Sequence, residues 1–536
     1  MGVPSPLVRK SALRVTIKPE KTSIYPPVSA AFAMAASYYA YPLLISFSFG
    51  KSPLFFLELL LLALVLIDGF LRTVNSLPGT QSRLFRKLGI LSTAAAVGFS
   101  LGIAARRSLP GSVEMGLEAE KVTAISGVLR EDPRFLQSAR NAGASGMGVV
   151  ELSGCVGRGG LRASASGTIT VFFPSESIKT LKEFGRGCEI YADGIYAAGA
   201  FSGTGRGTLF NAVSVHVVKP AGAVEIFRTR VRAALLERLI YNGRGGGGQA
   251  AKPPVWGGLA SALLLGVRDD LDTELSAGFR NSGCTHILAL SGMHLAILSG
   301  ILAFLIRRPL GIRWASLAGA VFVLLYVFVA GSQPSLVRAA IMYFIGTFAV
   351  WGLLKARPLP LLCMAFIAQL LFQSETGVSL SFILSYLALL GILTLGEAAR
   401  DLFRGRLPEV LGAGLSASIG AFVLTAPVVA FYFASLRPVG ILAGLVAAPV
   451  ASVFMVLSLA ALAASFLPFP IWNVFNFILA WIYRFLESFV NLAGRVPGLP
   501  VSNPVAALAF SLLFCLLICF LHALDRRYRS SIASFD

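Results

Sequence analysis

Three polar side chains interrupt an apolar segment near the middle of the chain, and their types could support catalysis or transport. His286, Ser291 and His294 lie within the run CTHILALSGMHL, which begins at residue 284. Ser291 and His294 are about one helical turn apart, so a hydroxyl nucleophile and an imidazole base could meet there. No residue that would orient such a base is apparent, and the chain has no Gly-x-Ser-x-Gly elbow. We therefore expect no enzyme, and an intramembrane hydrolase that uses Ser291 and His294 stays an alternative.

Polar residues in an apolar segment also suit two roles without catalysis. Facing lipid they would cost free energy, so they should face protein or water. They either satisfy one another in helix packing or line a translocation path, and Gly292 among them is a place where a helix could break or be approached closely. Gln333 and Arg338, at the start of another apolar run, extend this set of path candidates. Arg338 could snorkel to the interface or, in a water-filled cavity, bind a phosphate.

Acidic residues precede this segment, and no metal site is apparent. Asp269, Asp270 and Asp272 could face a cation or cap a helix. The four histidines do not combine with cysteine or carboxylate at metal-ligand spacing, so we expect no metal and no cofactor. Cys155 and Cys188 lie in the one long polar segment, and they could form a disulfide if that segment is extracytoplasmic.

The composition places these residues in a membrane protein. The chain has 536 residues, of which 56% are hydrophobic and only 13% charged, and its mean hydropathy is +0.75. A soluble core cannot bury this much apolar surface, which excludes a soluble enzyme, a coiled coil and a disordered chain. The chain has 46 Lys and Arg residues but only 26 Asp and Glu residues. We expect the surplus basic residues in cytoplasmic loops, where they fix the orientation of the spans.

About twelve apolar stretches are candidates for transmembrane helices. Three lie over residues 28–49, 54–71 and 88–105, and nine more follow the polar segment. Basic residues cluster in alternate connectors, which predicts a multi-pass membrane protein with cytoplasmic N- and C-termini. The nine later spans are predicted to begin near Cys284, Trp314, Leu336, Leu359, Val378, Val410, Val439, Ile471 and Pro504.

The polar segment, residues 112–222, is predicted to be a water-soluble extracytoplasmic domain inserted between the spans. It alternates with period two, as in VSVHV at 213–217, so we expect a small all-β barrel or sandwich. An arginine-rich amphipathic helix of the surface-lying kind follows it, and Val255–Val267 is too short to span. The predicted parts are an N-terminal membrane segment with three spans (1–111), the β-domain (112–222), an interfacial helix with a Gly-rich linker (223–253), a second transmembrane domain (254–525) and a cytoplasmic tail (526–536).

Four motifs resemble the competence domain of ComEC-type DNA-uptake proteins. They are the run Leu263–Leu298 with its Ser-Gly-Met-His core, the Pro-Ser-x-x-Arg-Ala run at Pro334–Ala339, the serine-rich block Ser379–Leu393, and the Leu-x-Ala-Pro-Val block within Leu424–Phe433. The resemblance covers about residues 222–524. It implies an inner-membrane channel that passes single-stranded DNA into the cytoplasm during natural transformation, with an OB-like domain in the polar segment. A small-molecule secondary transporter is a further alternative, but no clear internal repeat supports it.

The resemblance also implies partners. An OB-like domain would hold single-stranded DNA on basic and aromatic surfaces. The chain has no ATP-binding loop, so a helicase-like cytoplasmic motor is implied, and a DNA receptor protein and membrane lipids are further expected partners. Many family members carry a C-terminal metallo-β-lactamase-like domain, which this sequence lacks, so a separate nuclease is expected. The DNA-binding candidates are Arg158, Arg162, Lys179, Lys182 and Arg206.

Overall fold

The structure is a computed structural model, and it describes most of the chain from residue 114 onward together with one helix before it. Helix α1 (Pro26–Ser46) occupies the first predicted span. The predicted spans over residues 54–71 and, except for three residues, 88–105 lie outside the described residues. The described ranges are 26–46, 97–98, 100, 114–118, 121–135, 144–198, 208–241, 254–353, 357–466, 472–501 and parts of 509–521.

The polar segment folds as a β-domain. Its strands are β1 (Glu114–Met115), β2 (Val122–Leu129), β3 (Arg134–Phe135), β4 (Ala144–Gly157), β5 (Arg162–Ala163), β6 (Ala165–Ser166), β7 (Thr168–Pro174), β8 (Glu189–Ala198) and β9 (Thr208–Lys219). Five of them close in the order β2–β4–β7–β9–β8–β2, and all these pairs are antiparallel except β7 with β9. Helix α2 (Ser175–Phe184) connects β7 to β8. A five-stranded barrel of this topology is OB-like.

Alternating side chains fill the barrel. Ile169, Val171 and Phe173 of β7 are buried, because successive side chains of a strand point to opposite faces. Ile125 of β2 and Ile190 of β8 belong to the same core. The runs with period two at 168–171, 189–191 and 213–217 lie in β7, β8 and β9. The closed circuit of strands makes this domain a barrel and not a sandwich.

The second half of the chain is helical. Its helices are α3 (Ala223–Tyr241), α4 (Gly257–Leu265), α5 (Thr273–Asn281), α6 (Thr285–Leu288), α7 (Gly292–Ala330), α8 (Pro334–Trp351), α9 (Pro358–Phe372), α10 (Leu380–Gly391), α11 (Glu397–Phe403), α12 (Glu409–Phe433), α13 (Val439–Ala464) and α14 (Trp472–Ala493). A 3₁₀ turn (Ser374–Val378) precedes α10, and a π-helical turn (Ile392–Gly396) joins α10 to α11. Two short strands, β10 (Ser435–Leu436) and β11 (Leu499–Pro500), pair with each other.

Five helices within the described residues are long and apolar enough to cross a membrane. They are α7, α8, the continuous helix Leu380–Phe403, α12 and α13. The total of twelve spans stays a prediction. The spans predicted near Cys284 and Trp314 fall mostly in α7, which is interrupted at Gly311 (φ 82°, ψ 173°). Leu295 from the first half of α7 and Val323 from the second half share one buried cluster, so the chain turns back at this glycine.

The short apolar helix α4 lies in the protein interior, and one face of the amphipathic helix α3 is buried. All nine residues of α4 are buried, and Leu259 and Leu263 share a core cluster with Phe454 of α13 and Leu479 of α14. The protein itself therefore encloses the segment that is too short to span. The sequence of α3 predicts arginines on an outer surface, but Arg228 is only 1% exposed. That expectation is wrong for this face of α3, because carboxylates of the protein pair with the arginine.

Candidate functional site

Ser291 and His294 form the N-terminal cap of α7. The Ser291 backbone N–H donates to Nδ1 of His294 at 3.0 Å, and the Ser291 hydroxyl accepts from the His294 backbone N–H. The hydroxyl oxygen also lies 3.2 Å from Nδ1. Nδ1 therefore already accepts a backbone N–H, which makes it a poor base for the neighbouring hydroxyl. The pair that could serve as nucleophile and base is a capping box, which satisfies backbone donors at the helix start.

Arg338 lies in the protein interior. Its side chain is 7% exposed, and Nη1 donates to the backbone carbonyl of Ser385. The guanidinium carbon is 5.7 Å from the ring centroid of Tyr386. On its other side, Nη2 lies 3.0 Å from the position that a Cβ would take on Gly292. Of the two roles predicted for Arg338, snorkelling is therefore excluded by its burial.

Hydrogen bonds link the neighbouring helices around Arg338. Tyr386 donates from its hydroxyl to Oε1 of Gln369 at 2.9 Å, and Nε2 of Gln369, which is fully buried, donates to the carbonyl of Pro334 at 3.2 Å. The Ser335 hydroxyl donates to the carbonyl of Leu290 at 2.7 Å. Three of the sequence motifs therefore meet in one place. We call Ser291, Gly292, His294, Ser335, Arg338, Gln369 and Tyr386 the polar cluster.

The other two path candidates lie at the margin of this arrangement. His286, on the short helix α6, is exposed. Gln333 is the N-cap residue of α8, and its Nε2 is 3.4 Å from the position that a Cβ would take on Gly266. Gln333 thus adjoins the polar cluster in sequence, whereas His286 makes no described contact with its side chains.

The three acidic candidates have separate roles. Asp272 caps α5 by accepting the backbone N–H of Glu274 at 2.7 Å. Asp269 accepts from Nζ of Lys182 at 2.5 Å and from the backbone N–H of Phe135 at 3.2 Å. Asp270 is exposed. Within the described residues no group of three His, Cys, Asp or Glu side chains could hold a metal ion, so the reading of these aspartates as a cation site is not supported.

A second set of charges joins the barrel to the helices. Arg228 of α3 donates at 2.6 Å both to Asp132, which follows β2, and to Glu225. Arg232 donates to the same Asp132 carboxylate at 2.5 Å. Arg186, which follows α2, donates to Glu225 at 2.8 Å. We call these five residues the docking network.

The two carboxyl groups of the docking network stay ionised. Burial alone would raise the pKa of Asp132, but the hydrogen bond from Arg228 and the charges of Arg232 and Arg228 outweigh it, so the pKa lies below its usual value. The pKa of Glu225 is lowered in the same way, because bonds from Arg186 and Arg228 outweigh its burial. Both acids therefore remain anions at neutral pH and compensate the buried guanidinium groups.

The predicted DNA-binding residues of the barrel fall into three groups. Arg158 and Arg162 are exposed. Lys182 pairs with Asp269 and lies 3.8 Å from the ring centroid of Phe135, and its role in DNA binding stays a prediction. The side chain of Lys179 and the whole of Arg206 lie outside the described residues.

The two cysteines of the barrel are buried in its core. Cys155 is 2% exposed and Cys188 is fully buried. Both thiols are free, so the disulfide that the sequence allows is not formed in this structure.

Sequence reasoning missed two parts of these sites. Gln369 is the one amide in the apolar run of α9, and that isolation was a usable signal. Asp132 gave none, because its partner Arg228 is 96 residues away in the chain.

The chain combines membrane-length helices around a polar cluster with an OB-like barrel that ion pairs join to α3. This combination defines a polytopic membrane protein with an attached OB-like domain. Residues 263–527 match the family model described as "Competence protein". This match supports a ComEC-type competence protein, the family whose competence domain the motifs resemble.

Three curated proteins are similar to this chain in sequence. "ComE operon protein 3" of Bacillus subtilis (strain 168) is 29% identical over 279 residues, which cover 48% of this chain and 33% of the relative. "Competence protein ComA" of Neisseria gonorrhoeae is 27% identical over 263 residues, 47% of this chain and 37% of the relative. An "Uncharacterized protein" of Aquifex aeolicus (strain VF5) is 29% identical over 240 residues, 44% of this chain and 54% of the relative. The chain thus spans 33 to 54% of the length of these relatives. No solved structure matches.

Proposed function

We propose that this protein is a permease of the cytoplasmic membrane that passes single-stranded DNA into the cell during natural transformation. The observation that carries the proposal is the meeting of three competence-family motifs in the polar cluster. Polar groups inside a membrane bundle are costly unless they are satisfied or face a path, and a buried guanidinium suits a phosphate backbone. The names of two relatives, "ComE operon protein 3" and "Competence protein ComA", agree with a role in competence.

The OB-like barrel fits this function as a receiving domain. Such barrels bind single strands on one face and on adjoining loops. The docking network attaches the barrel through Asp132, in the connection that follows β2, so the barrel and the helical domain would act on the same strand. We propose that residues 112–222 are extracytoplasmic and that both termini are cytoplasmic.

We further propose that the chain transports and does not catalyse. The Ser291 hydroxyl and the His294 imidazole are used in capping α7, which supports this choice over the hydrolase. Energy would then come from a cytoplasmic helicase-like motor. A DNA receptor protein and a separate nuclease would supply the single strand.

Uptake of labelled DNA tests the function. Cells lacking the native gene receive the wild-type chain or a variant, and the label that enters the cytoplasm in single-stranded form is measured. We expect no uptake in the deletion and full restoration by the wild-type chain. An Arg307→Met variant, which changes an exposed arginine of α7, should restore uptake as well. Normal uptake in the deletion strain would refute the proposal.

The same assay separates transport from hydrolysis. Ser291→Ala removes the hydroxyl that a hydrolase would need, and Ser291→Asp keeps a side-chain acceptor for the cap. A permease whose Ser291 is a cap tolerates Ser291→Asp better than Ser291→Ala. A hydrolase that uses the hydroxyl as nucleophile loses activity equally in both variants.

A further inference from the structure

The guanidinium of Arg338 is a buried cation, and no anion from the described residues lies beside it. Nη1 donates to the carbonyl of Ser385, and Nε has no hydrogen-bond partner. Across the described ranges, the acid–base pairs within 4.0 Å involve other arginines and lysines and leave Arg338 without a carboxylate. Burying such a charge is costly unless something compensates it.

The start of α7 adds positive potential at the same place. Nη2 of Arg338 lies 3.0 Å from the Cβ position of Gly292, the first residue of this helix. The backbone N–H of His294 is taken by the Ser291 hydroxyl, but those of Gly292 and Met293 have no acceptor within the helix. A helix start carries about half a unit of positive charge. The guanidinium and the helix start therefore repel each other unless an anion lies near both.

We propose that Arg338 and the backbone N–H groups of Gly292 and Met293 form a binding site for a phosphate group. A guanidinium offers a planar pair of donors, and helix N-termini bind phosphate through backbone N–H groups. The site deepens the proposed function and rests on it for the identity of the ligand, which is then a phosphodiester of the passing strand. Inorganic phosphate and a lipid head group carry the same chemistry, and the experiment distinguishes these sources.

A substitution at Gly292 can test the geometry of the site separately from its charge. A methyl group at this position would lie 3.0 Å from Nη2 of Arg338 and 3.1 Å from the Cβ of Ala339. Gly292→Ala therefore keeps the arginine but displaces its guanidinium from the helix start. It tests geometry where Arg338→Met tests charge.

Binding of inorganic phosphate to the full chain tests the site. The protein is placed in nanodiscs of zwitterionic lipid, and binding of radiolabelled phosphate is measured by equilibrium dialysis. Hydrogen bonds to charged groups contribute about 1.5–3 kcal/mol, so Arg338→Met should weaken binding by about tenfold or more. Gly292→Ala should also weaken it, and Arg338→Lys should keep part of the affinity. Arg307→Met, at an exposed position of α7, is the matched control and should bind as the wild type does.

Competitors identify the ligand. Oligothymidylate should displace the bound phosphate, and its uncharged methylphosphonate analogue should not. If phosphate binding is lost when the protein is placed in nanodiscs that contain phosphatidylglycerol, and oligothymidylate does not displace phosphate in the zwitterionic nanodiscs, the site is supported and its ligand is a lipid head group. Phosphate binding that depends on Arg338, together with normal DNA uptake by Arg338→Met cells, supports the site and contradicts its place in the strand path.

Two results would overturn the site itself. One is equal phosphate binding by the wild type, Arg338→Met and Gly292→Ala. The other is equal loss in Arg338→Met and in the Arg307→Met control, which would mean that general surface charge holds the phosphate. If Arg338→Met does not fold, the comparison of Arg338→Lys and Gly292→Ala with the wild type decides the question.

Discussion

Asp132→Asn should release the barrel from the helical domain. The Asp132 carboxylate accepts from Arg228 at 2.6 Å, from Arg232 at 2.5 Å and from the backbone N–H of Arg186 at 3.3 Å. An asparagine keeps the size of the side chain and one acceptor oxygen but removes the charge. Two guanidinium groups, which are 1% and 17% exposed, then lose their shared anion.

The free-energy cost of Asp132→Asn follows from the burial of these two arginines. Removing one member of a buried ion pair costs about 3–5 kcal/mol. Arg228 keeps Glu225 at 2.6 Å, and Asp132 is 30% exposed, so water replaces part of the loss. We therefore expect about 1.5–3 kcal/mol, the range for hydrogen bonds to charged groups. This shifts the ratio of docked to undocked barrel by about 10- to 100-fold.

Hydrogen exchange measures the ratio directly. The amides of β2 and α3 in the purified full chain should lose protection by that factor in Asp132→Asn. Glu151→Gln is the matched control, because Glu151 pairs with Arg130 on the open surface of the barrel, where the two side chains are 44% and 55% exposed. Such a pair contributes about 0–1 kcal/mol. Equal protection of α3 in both variants would show that the docking network does not hold the barrel.

Acid should reproduce the effect of the substitution. The folded-state pKa values of Asp132 and Glu225 are lowered, so the stabilisation they provide is fully present above their unfolded values near 4. It is lost as the pH falls through the lowered folded values. Protection of α3 in the wild type should therefore be constant between about pH 5 and 8 and fall below about pH 4. A loss of docking between pH 5 and 7 would point to other groups.

Two further predictions concern packing. Gly391→Ala should lower the free energy of unfolding by about 1–3 kcal/mol, because the new Cβ would lie 2.1 Å from the carbonyl oxygen of Gly420 on α12. Gly346→Ala is the control, because its Cβ meets open space and should have little effect. Equal unfolding midpoints of the two variants in mixed micelles would contradict this prediction. Cys155 and Cys188 should not react with a thiol reagent at pH 7 in the folded protein, and both should react once the chain is denatured. Both thiols are buried, and burial raises the pKa of Cys188 to about 11. A mass that corresponds to a disulfide would contradict the prediction of free thiols.

Local patterns predicted the elements of this fold well. The period-two alternation of residues 213–217 lies in β9, and the apolar run from Val439 forms α13. Alternation cannot choose between a barrel and a sandwich, because both bury one face of each strand. The closing pair, β2 with β4, and the parallel pair, β7 with β9, are tertiary facts.

In the candidate site, too, the sequence indicated local contacts but not the contacts between helices. The spacing of Ser291 and His294 indicated that their side chains could touch, but not that the contact caps a helix. The choice between snorkelling and burial of Arg338 needed the positions of α10 and α7, which place Ser385 and Gly292 against it. Sequence distance conceals such contacts, since hydrogen bonds between side chains depend on the packing of whole helices.

Two arginines show how partners, and not burial, separate a structural charge from a binding charge. Arg228 and Arg338 are 1% and 7% exposed, so both have lost nearly all their water. Arg228 is compensated by Asp132 and Glu225, and its loss would leave each of these acids with one arginine, Arg232 and Arg186 respectively. Arg338 donates to a neutral carbonyl, and its loss would leave no acid behind. Removing Arg228 should therefore reduce docking and stability together, whereas removing Arg338 should weaken phosphate binding by about tenfold or more at little cost in stability.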